Sequence, residues 1–302
     1  MNKSIQYFLA TRPAFLIITL LGCLIGLILP SSSHPYSWHI NLLAILLALS
    51  LHASANLLND YFDHMNGSDL INTERISPFT GGSRYIQDQI FTPQQILTLG
   101  ALLSLLAIGL GIYICSQTTW LLMPLGLVGV IIAWAYSSPP IQLMSRGIMG
   151  EIAIAMAWSL VVIGFATMHQ GHLTESAIYI GLSFGLMASN ILLVNQIPDI
   201  KADQISGKYT LATQSTDQSL QLWFGASYGS AYLLQILGTN NGAIPISTAI
   251  TLIAVPLFIA CSYYMSQALK DRSKLKFLVL LNISAVHLYA VLLCLGLAYM
   301  WI

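Results

Sequence analysis

Charge is the scarcest property of this sequence. Its 302 residues include 11 Lys or Arg and 11 Asp or Glu, 7% in all, against 56% hydrophobic residues and a mean hydropathy of +0.74. Soluble domains carry about 25% charged residues, so no water-facing surface can be assembled from this composition. That excludes a soluble enzyme, a disordered chain and a secreted disulfide scaffold, and leaves an all-α polytopic membrane protein. Net charge is zero, so the global basic field that nucleic-acid binding needs is missing and no such partner is expected. Cysteine is scarce too. Cys23, Cys115, Cys261 and Cys294 lie in apolar runs without a CxxC pair, and read as small buried hydrophobes rather than metal ligands.

About 20 apolar residues are needed to cross the hydrocarbon core. On that measure the chain, a single integral-membrane domain over 1–302, divides into nine spans. They lie near 13–30, 40–63, 94–116, 119–137, 150–169, 174–197, 218–238, 243–268 and 277–300. Ala14 to Leu29, preceded by Lys3 and Arg12, has no clear small-x-small cleavage site and is followed by further spans. It reads as the first crossing rather than a signal peptide. Thr11-Arg12-Pro13 suits a helix start, and Ser31-Ser32-Ser33 with Pro35 a stop.

Nine spans put every basic residue on one side. Lys3 and Arg12 precede the first span; Arg75 and Arg84, Arg146, Lys201 and Lys208, and Lys270, Arg272, Lys274 and Lys276 fill the connections after spans two, four, six and eight. The positive-inside rule places the N-terminus and these connections in the cytoplasm of a cell (inner) membrane, with the C-terminus outside. The connection near 64–93 is the longest, and Thr92-Pro93 closes it as a helix cap with Pro at the first helical position.

Thirteen of the charges fall in three windows on this side, 60–88, 146–151 and 199–208. Span two ends in Asn56-Leu-Leu-Asn59-Asp60-Tyr61-Phe62-Asp63, whose polar residues stand at i, i+3, i+4 and i+7, one helical face. Span six ends in Asn195, Asp199 and Asp203 at i, i+4, i+8, provided the helix continues past Pro198. The echo between 56–69 and 195–208 suggests an internal pseudo-repeat delivering two acidic motifs to one cavity. Acids at a helix C-terminus oppose the macrodipole, and two such clusters repel. Hard divalent cations resolve both problems, and Mg²⁺ typically takes one or two carboxylates plus substrate phosphates. Two acidic motifs with bases beside them are the arrangement expected for a metal-bridged diphosphate.

These motifs resemble those of the UbiA superfamily of intramembrane prenyltransferases. Finer features resemble its 1,4-dihydroxy-2-naphthoate branch: Asp63-His-Met-Asn-Gly67-Ser-Asp69, Ser77-Pro-Phe-Thr-Gly81-Gly82-Ser83-Arg84, Tyr136-Ser-Ser-Pro139-Pro140, Arg146-Gly147 with Gly150-Glu151, and Leu193-Val-Asn195 through Gly207-Lys208-Tyr-Thr-Leu211. The broader family often has Asp-x3-Asp in its first motif; here that position is Gly67 and the next acid is Asp69.

The resemblance implies nine helices around a central cavity, and transfer of a polyprenyl group from its diphosphate to an aromatic acceptor that loses its carboxylate, in menaquinone biosynthesis. Mg²⁺ on Asp60, Asp63, Asp199 and Asp203 would bridge the diphosphate. Asn56, Asn59, Asn195, Arg84, Arg146, Lys201 and Lys208 are candidates to bind substrate, and Tyr136, Tyr61 and Trp134 stand near the mouth. Asp69 or His64 could deprotonate the acceptor. His34, His39, His169 and His172 fall on the outer side, while His52 and His287 lie within spans; all six read as structural. Other acceptors (4-hydroxybenzoate, homogentisate or a glycerol phosphate) are the alternative within the enzyme class. An ion-coupled transporter is the alternative outside it, but would place its charges nearer the bilayer midplane.

Overall fold

The computed structural model describes residues 2–29 and 38–299, and among these the architecture is helical almost throughout. The expected stop at Ser31–Pro35, His34 and the last residue of the first and of the ninth span lie outside the described residues. A short helix, α1 (Lys3–Ala10), joins α2 (Pro13–Ile28) at Thr11–Arg12 with a 59° bend. Helix α3 (Trp38–Met65) runs unbroken through the first acidic motif, and α4 (Ser68–Ile71) is one turn in the connection beyond it. Helix α5 (Pro93–Gln117) begins at Thr92–Pro93 as expected. There the Thr92 hydroxyl accepts from the Gln95 N–H while the Gln95 side chain accepts from the Thr92 N–H, so two free donors are satisfied reciprocally.

The chain continues through α6 (Leu122–Ala135), α7 (Met149–Gln170), α8 (Glu175–Ile205), α9 (Leu211–Gln214), α10 (Asp217–Asn240), α11 (Val255–Ala268) and α12 (Leu275–Ala298). Thr174 and Thr216 cap α8 and α10 through their hydroxyls. A 3₁₀ segment, Ile246–Ala254, leads directly into α11. The extended pairing is only two residues long. Strand β1 (Arg146–Gly147) lies parallel to β2 (Tyr209–Thr210), tying the connection before α7 to the connection after α8.

Among the described residues six rods are long and apolar enough to cross a membrane: α3, α5, α7, α8, Ile246–Ala268 and Arg272–Ala298; the bent α1–α2 pair makes seven. Two of the nine expected spans fall short on this measure. The 14 residues of α6 rise about 21 Å at 1.5 Å each, less than a core of ~30 Å. Helix α10 has the length, but Asp217, Gln218, Gln221 and Gln235 dilute its apolarity.

Helix α8 is the axis of the packing. Its apolar window is 72% buried against 17% for α5, so α8 is interior and α5 presents most of its surface outward. Ile180, Phe184, Met187, Val194 and Ile197 from α8 form one core with Phe224, Phe258 and Tyr289. Lipid tails offer apolar surface as good as leucine's, so helices in a bilayer associate through close backbone approach at small residues. Gly185 provides such an approach, since a Cβ there would sit 2.1 Å from the Ala155 carbonyl of α7. Gly185→Ala should therefore force α7 and α8 apart and cost about 2 kcal/mol. The check is a lowered melting temperature of the purified chain in detergent.

Candidate active site

Two helix ends meet at one cavity. Helix α3 carries Asn56, Asn59, Asp60 and Asp63 over its last three turns, and α8 carries Asn195, Asp199 and Asp203. Helix continues through Pro198, so the i, i+4, i+8 spacing puts the second set on one face as well. Between them opens a cavity of about 580 Å³. Arg12, Asn56, Asn59, Asp63, Asp69, Tyr136, Asn195, Asp199, Asp203 and Lys208 line it, and aliphatic and aromatic side chains of α5, α6 and α7 form its deeper walls.

Lys208 joins the two motifs. Its Nζ lies 2.7 Å from Asp63 Oδ1 and 3.5 Å from Asp203 Oδ1, with all three side chains at most 10% exposed. Burial works against the ammonium, yet Asp63 and Asp203 outweigh it and hold Lys208 above the ordinary lysine range. The backbone is fixed on both sides. The Lys208 N–H donates to the Asp203 carbonyl at 2.8 Å, and β2 begins at the next residue.

The other acids are each held by a different connection. Asp60 turns from the open cavity, pairs with Arg12 and accepts from the Ser83 N–H at 3.1 Å. Asp199 accepts from Asn72 Nδ2 at 2.7 Å. Asp69 lies beneath the Gly81–Gly82 turn, where both glycines have positive φ (68° and 72°). A Cβ on Gly82 would stand 2.5 Å from Asp69 Oδ2, so the glycine pair permits both the turn and the approach. Burial, reinforced by the Asp63 and Asp60 carboxylates, pushes the Asp69 carboxyl up to about 7.

Three expected phosphate contacts are placed elsewhere. Arg84 donates to the Asp69 carbonyl, Arg146 is exposed and donates to the carbonyls of Ile141 and Pro140, and Lys201 is exposed and pairs with Glu74. A long side chain in a connection takes the nearest acid or carbonyl. Among the described residues none of the three lines the cavity, whereas Lys208 does. Arg12 does too, although its sequence context marked only a membrane side and a helix start. A base wedged between Thr11 and Pro13, at the break between two helices, was the available signal. Asn72, Thr80 and Gln196 are further lining residues that the sequence did not single out. His64 is not among the lining residues, Tyr61 joins a satellite cluster with Leu57 and Phe91, and Trp134 is exposed as an interfacial anchor would be.

The donors suit a hard divalent cation. No three His, Cys, Asp or Glu groups among the described residues already converge on one point. Each motif instead offers part of an oxygen shell, and the buried amide oxygen of cavity-lining Asn195 has no hydrogen-bond partner. Such partial shells are completed by ligand phosphates in Mg²⁺ sites. Replacing Lys208 with Met would leave Asp63 and Asp203 as an uncompensated buried pair, at a cost of about 3 kcal/mol. Thermal unfolding should show that loss without divalent cation and a partial recovery in millimolar Mg²⁺.

The model of the UbiA prenyltransferase family matches residues 16–289. A 1,4-dihydroxy-2-naphthoate octaprenyltransferase of Bacillus subtilis is 27% identical, over 82% of this chain and 77% of its own length. An apo UbiA homolog from Aeropyrum pernix superposes with a TM-score of 0.71 at 15% identity, covering 96% of this chain and 98% of that one. A UbiA homolog from Archaeoglobus fulgidus bound to DMAPP and Mg²⁺ gives 0.63 at 15% identity, covering 95% and 98%. The chain belongs to the UbiA prenyltransferase family and is a multi-pass membrane enzyme.

Proposed function

We propose that the chain transfers a polyprenyl group from its diphosphate to 1,4-dihydroxy-2-naphthoate, with loss of the carboxylate, in menaquinone biosynthesis. One observation carries the reading. Two acidic helix ends, joined by a buried lysine, stand at the mouth of a cavity whose deeper walls are apolar. A diphosphate fits the mouth and an isoprenoid the interior. The Bacillus subtilis relative supports the naphthoate as acceptor. Helix α6, which is short, and α10, whose apolarity is diluted, complete nine crossings in this reading. The one-sided distribution of Lys and Arg then places the N-terminus and the site in the cytoplasm of the cell membrane and the C-terminus outside.

Asp60, Asp63, Asp199 and Asp203 would hold Mg²⁺, with Asn56, Asn59 and Asn195 beside them. Bound there, the ion would neutralise charge on the leaving diphosphate. Lys208 and Arg12 line the mouth and donate to phosphate oxygens. The apolar walls exclude water from the allylic centre, and Tyr136 offers a ring face beside it. The C–O bond to diphosphate breaks as the ring carbon forms the new C–C bond, and pyrophosphate and CO₂ depart. Asp69, a buried carboxylate on the cavity wall, is placed to receive the acceptor's hydroxyl proton.

The test is release of pyrophosphate coupled to prenylation of the naphthoate by the purified chain, dependent on Mg²⁺. Asp60→Ala and Asp199→Ala should each lower kcat/KM by at least about 100-fold, in line with loss of a group that stabilises transition-state charge. Full activity in either variant would break the shared site. Turnover of 4-hydroxybenzoate but not the naphthoate would replace the acceptor.

A further inference from the structure

One polar group in the deeper cavity has no part in the diphosphate chemistry. His52 stands four residues before Asn56 on the same face of α3, about 6 Å farther from the acidic mouth at 1.5 Å per residue. It lines the cavity among Ala48, Leu51 and Ala55 of its own helix and Ala157 and Val161 of α7. Two cavity-lining neighbours hold the ring. Thr19 of α2 places Oγ1 2.7 Å from His52 Nδ1, and Trp158 of α7 meets the imidazole edge to face, 5.0 Å between centroids at 86°. Nε2 has no hydrogen-bond partner among the described residues, and neither does the buried indole N–H of Trp158.

We propose that His52, oriented by Thr19 and Trp158, binds a ring hydroxyl of the aromatic acceptor and so forms the acceptor subsite. The inference rests on the aromatic prenyl transfer proposed above. The ring is fixed by Thr19, and either tautomer serves. If Thr19 donates to Nδ1, Nε2 carries the proton and donates to the cavity; if Thr19 accepts, Nε2 offers a lone pair. A hydroxyl both donates and accepts, so it satisfies either form. A prenyl tail satisfies neither and would strand a polar nitrogen against hydrocarbon. The position also fits. His52 lies about 12 Å along α3 from Asp60 at 1.5 Å per residue, beyond the acids that would hold Mg²⁺ but on the same helix, so a ring held there lies nearer the allylic end than the far end of the tail.

The test uses the full-length chain in detergent, varying 1,4-dihydroxy-2-naphthoate and a prenyl diphosphate separately. His52→Phe should raise the naphthoate KM about tenfold, the scale of one lost hydrogen bond, and leave the prenyl diphosphate KM unchanged. His52→Gln, which keeps a donor and an acceptor, should recover most of that loss, and Thr19→Val should fall between. Equilibrium binding of 1-hydroxy-2-naphthoate should weaken in the same order. An unchanged prenyl diphosphate KM reports an intact fold, and His52→Gln with Thr19→Val carry the test should His52→Phe not fold. An active wild type with an indifferent His52→Phe, or variants in which both KM values move together, overturns the subsite alone. A wild type that does not prenylate the naphthoate overturns the functional reading, and the subsite with it.

Discussion

The structure depends on keeping like charges together where they should repel. Asp63 and Asp203 come from helices far apart in the chain, each near the end whose macrodipole is already negative. Lys208 lies between them, nearly as buried as they are. Without it the ends of α3 and α8 would separate or take up protons, and the cavity mouth would lose its shape. With it, two long helices are joined at one end while their apolar bodies diverge around the cavity. The β1–β2 pairing one residue later makes that placement a property of the backbone as well as of charge.

The remaining acids obey the same constraint through other partners, a cation for Asp60 and neutral donors for Asp199 and Asp69. Asp60 takes Arg12 and a backbone N–H, Asp199 takes an asparagine amide, and Asp69 takes Gln87 with the glycine turn packed on it. A neutral donor stabilises a carboxylate without cancelling its charge, so the mouth keeps a surplus of negative oxygen near two buried bases. The arrangement is stable enough to fold and still short of positive charge. A cation bound with an anionic diphosphate would meet that need, whereas a fully paired network would have to be broken before substrate could enter.

The helical face of the first motif was legible in the sequence because 3.6 residues per turn fixes where Asn56, Asn59, Asp60 and Asp63 point. The reciprocal cap at Thr92 was legible for a similar reason, since its partners lie within four residues. Pro198 left the second motif conditional, and the helix proved to continue through it. What local periodicity cannot supply is the partner of a long side chain in a connection. Arg84, Arg146 and Lys201 resembled Lys208 by charge and position, and only the folded connections decide that three meet carbonyls or a glutamate while the fourth turns inward. Arg12 was hidden by a second meaning, because a base before the first span already had an explanation in membrane orientation. His52 was hidden by its surroundings: in an apolar run a lone histidine reads as packing until Thr19 and Trp158, from two other helices, are seen to hold it.

Lys201, one of those outlying bases, has a task that the cavity alone would not reveal. Glu74, in the connection beyond α3, receives both Lys201 of α8 and Arg272 before α12, and Arg272 also donates to the Pro198 carbonyl at 3.0 Å. The hydrogen bond from Lys201 outweighs the small burial of Glu74, and with Arg272 it holds that carboxyl below the usual range. Being partly exposed, such pairs contribute little individually to stability. Their value is positional. They tie the connection beyond α3 to the end of α8 and to the segment before α12, so residues that touch the cavity are held by residues that do not. Charge in so apolar a chain therefore divides by depth: the buried pairs shape the reacting end, and the exposed ones keep the loops that carry it in register.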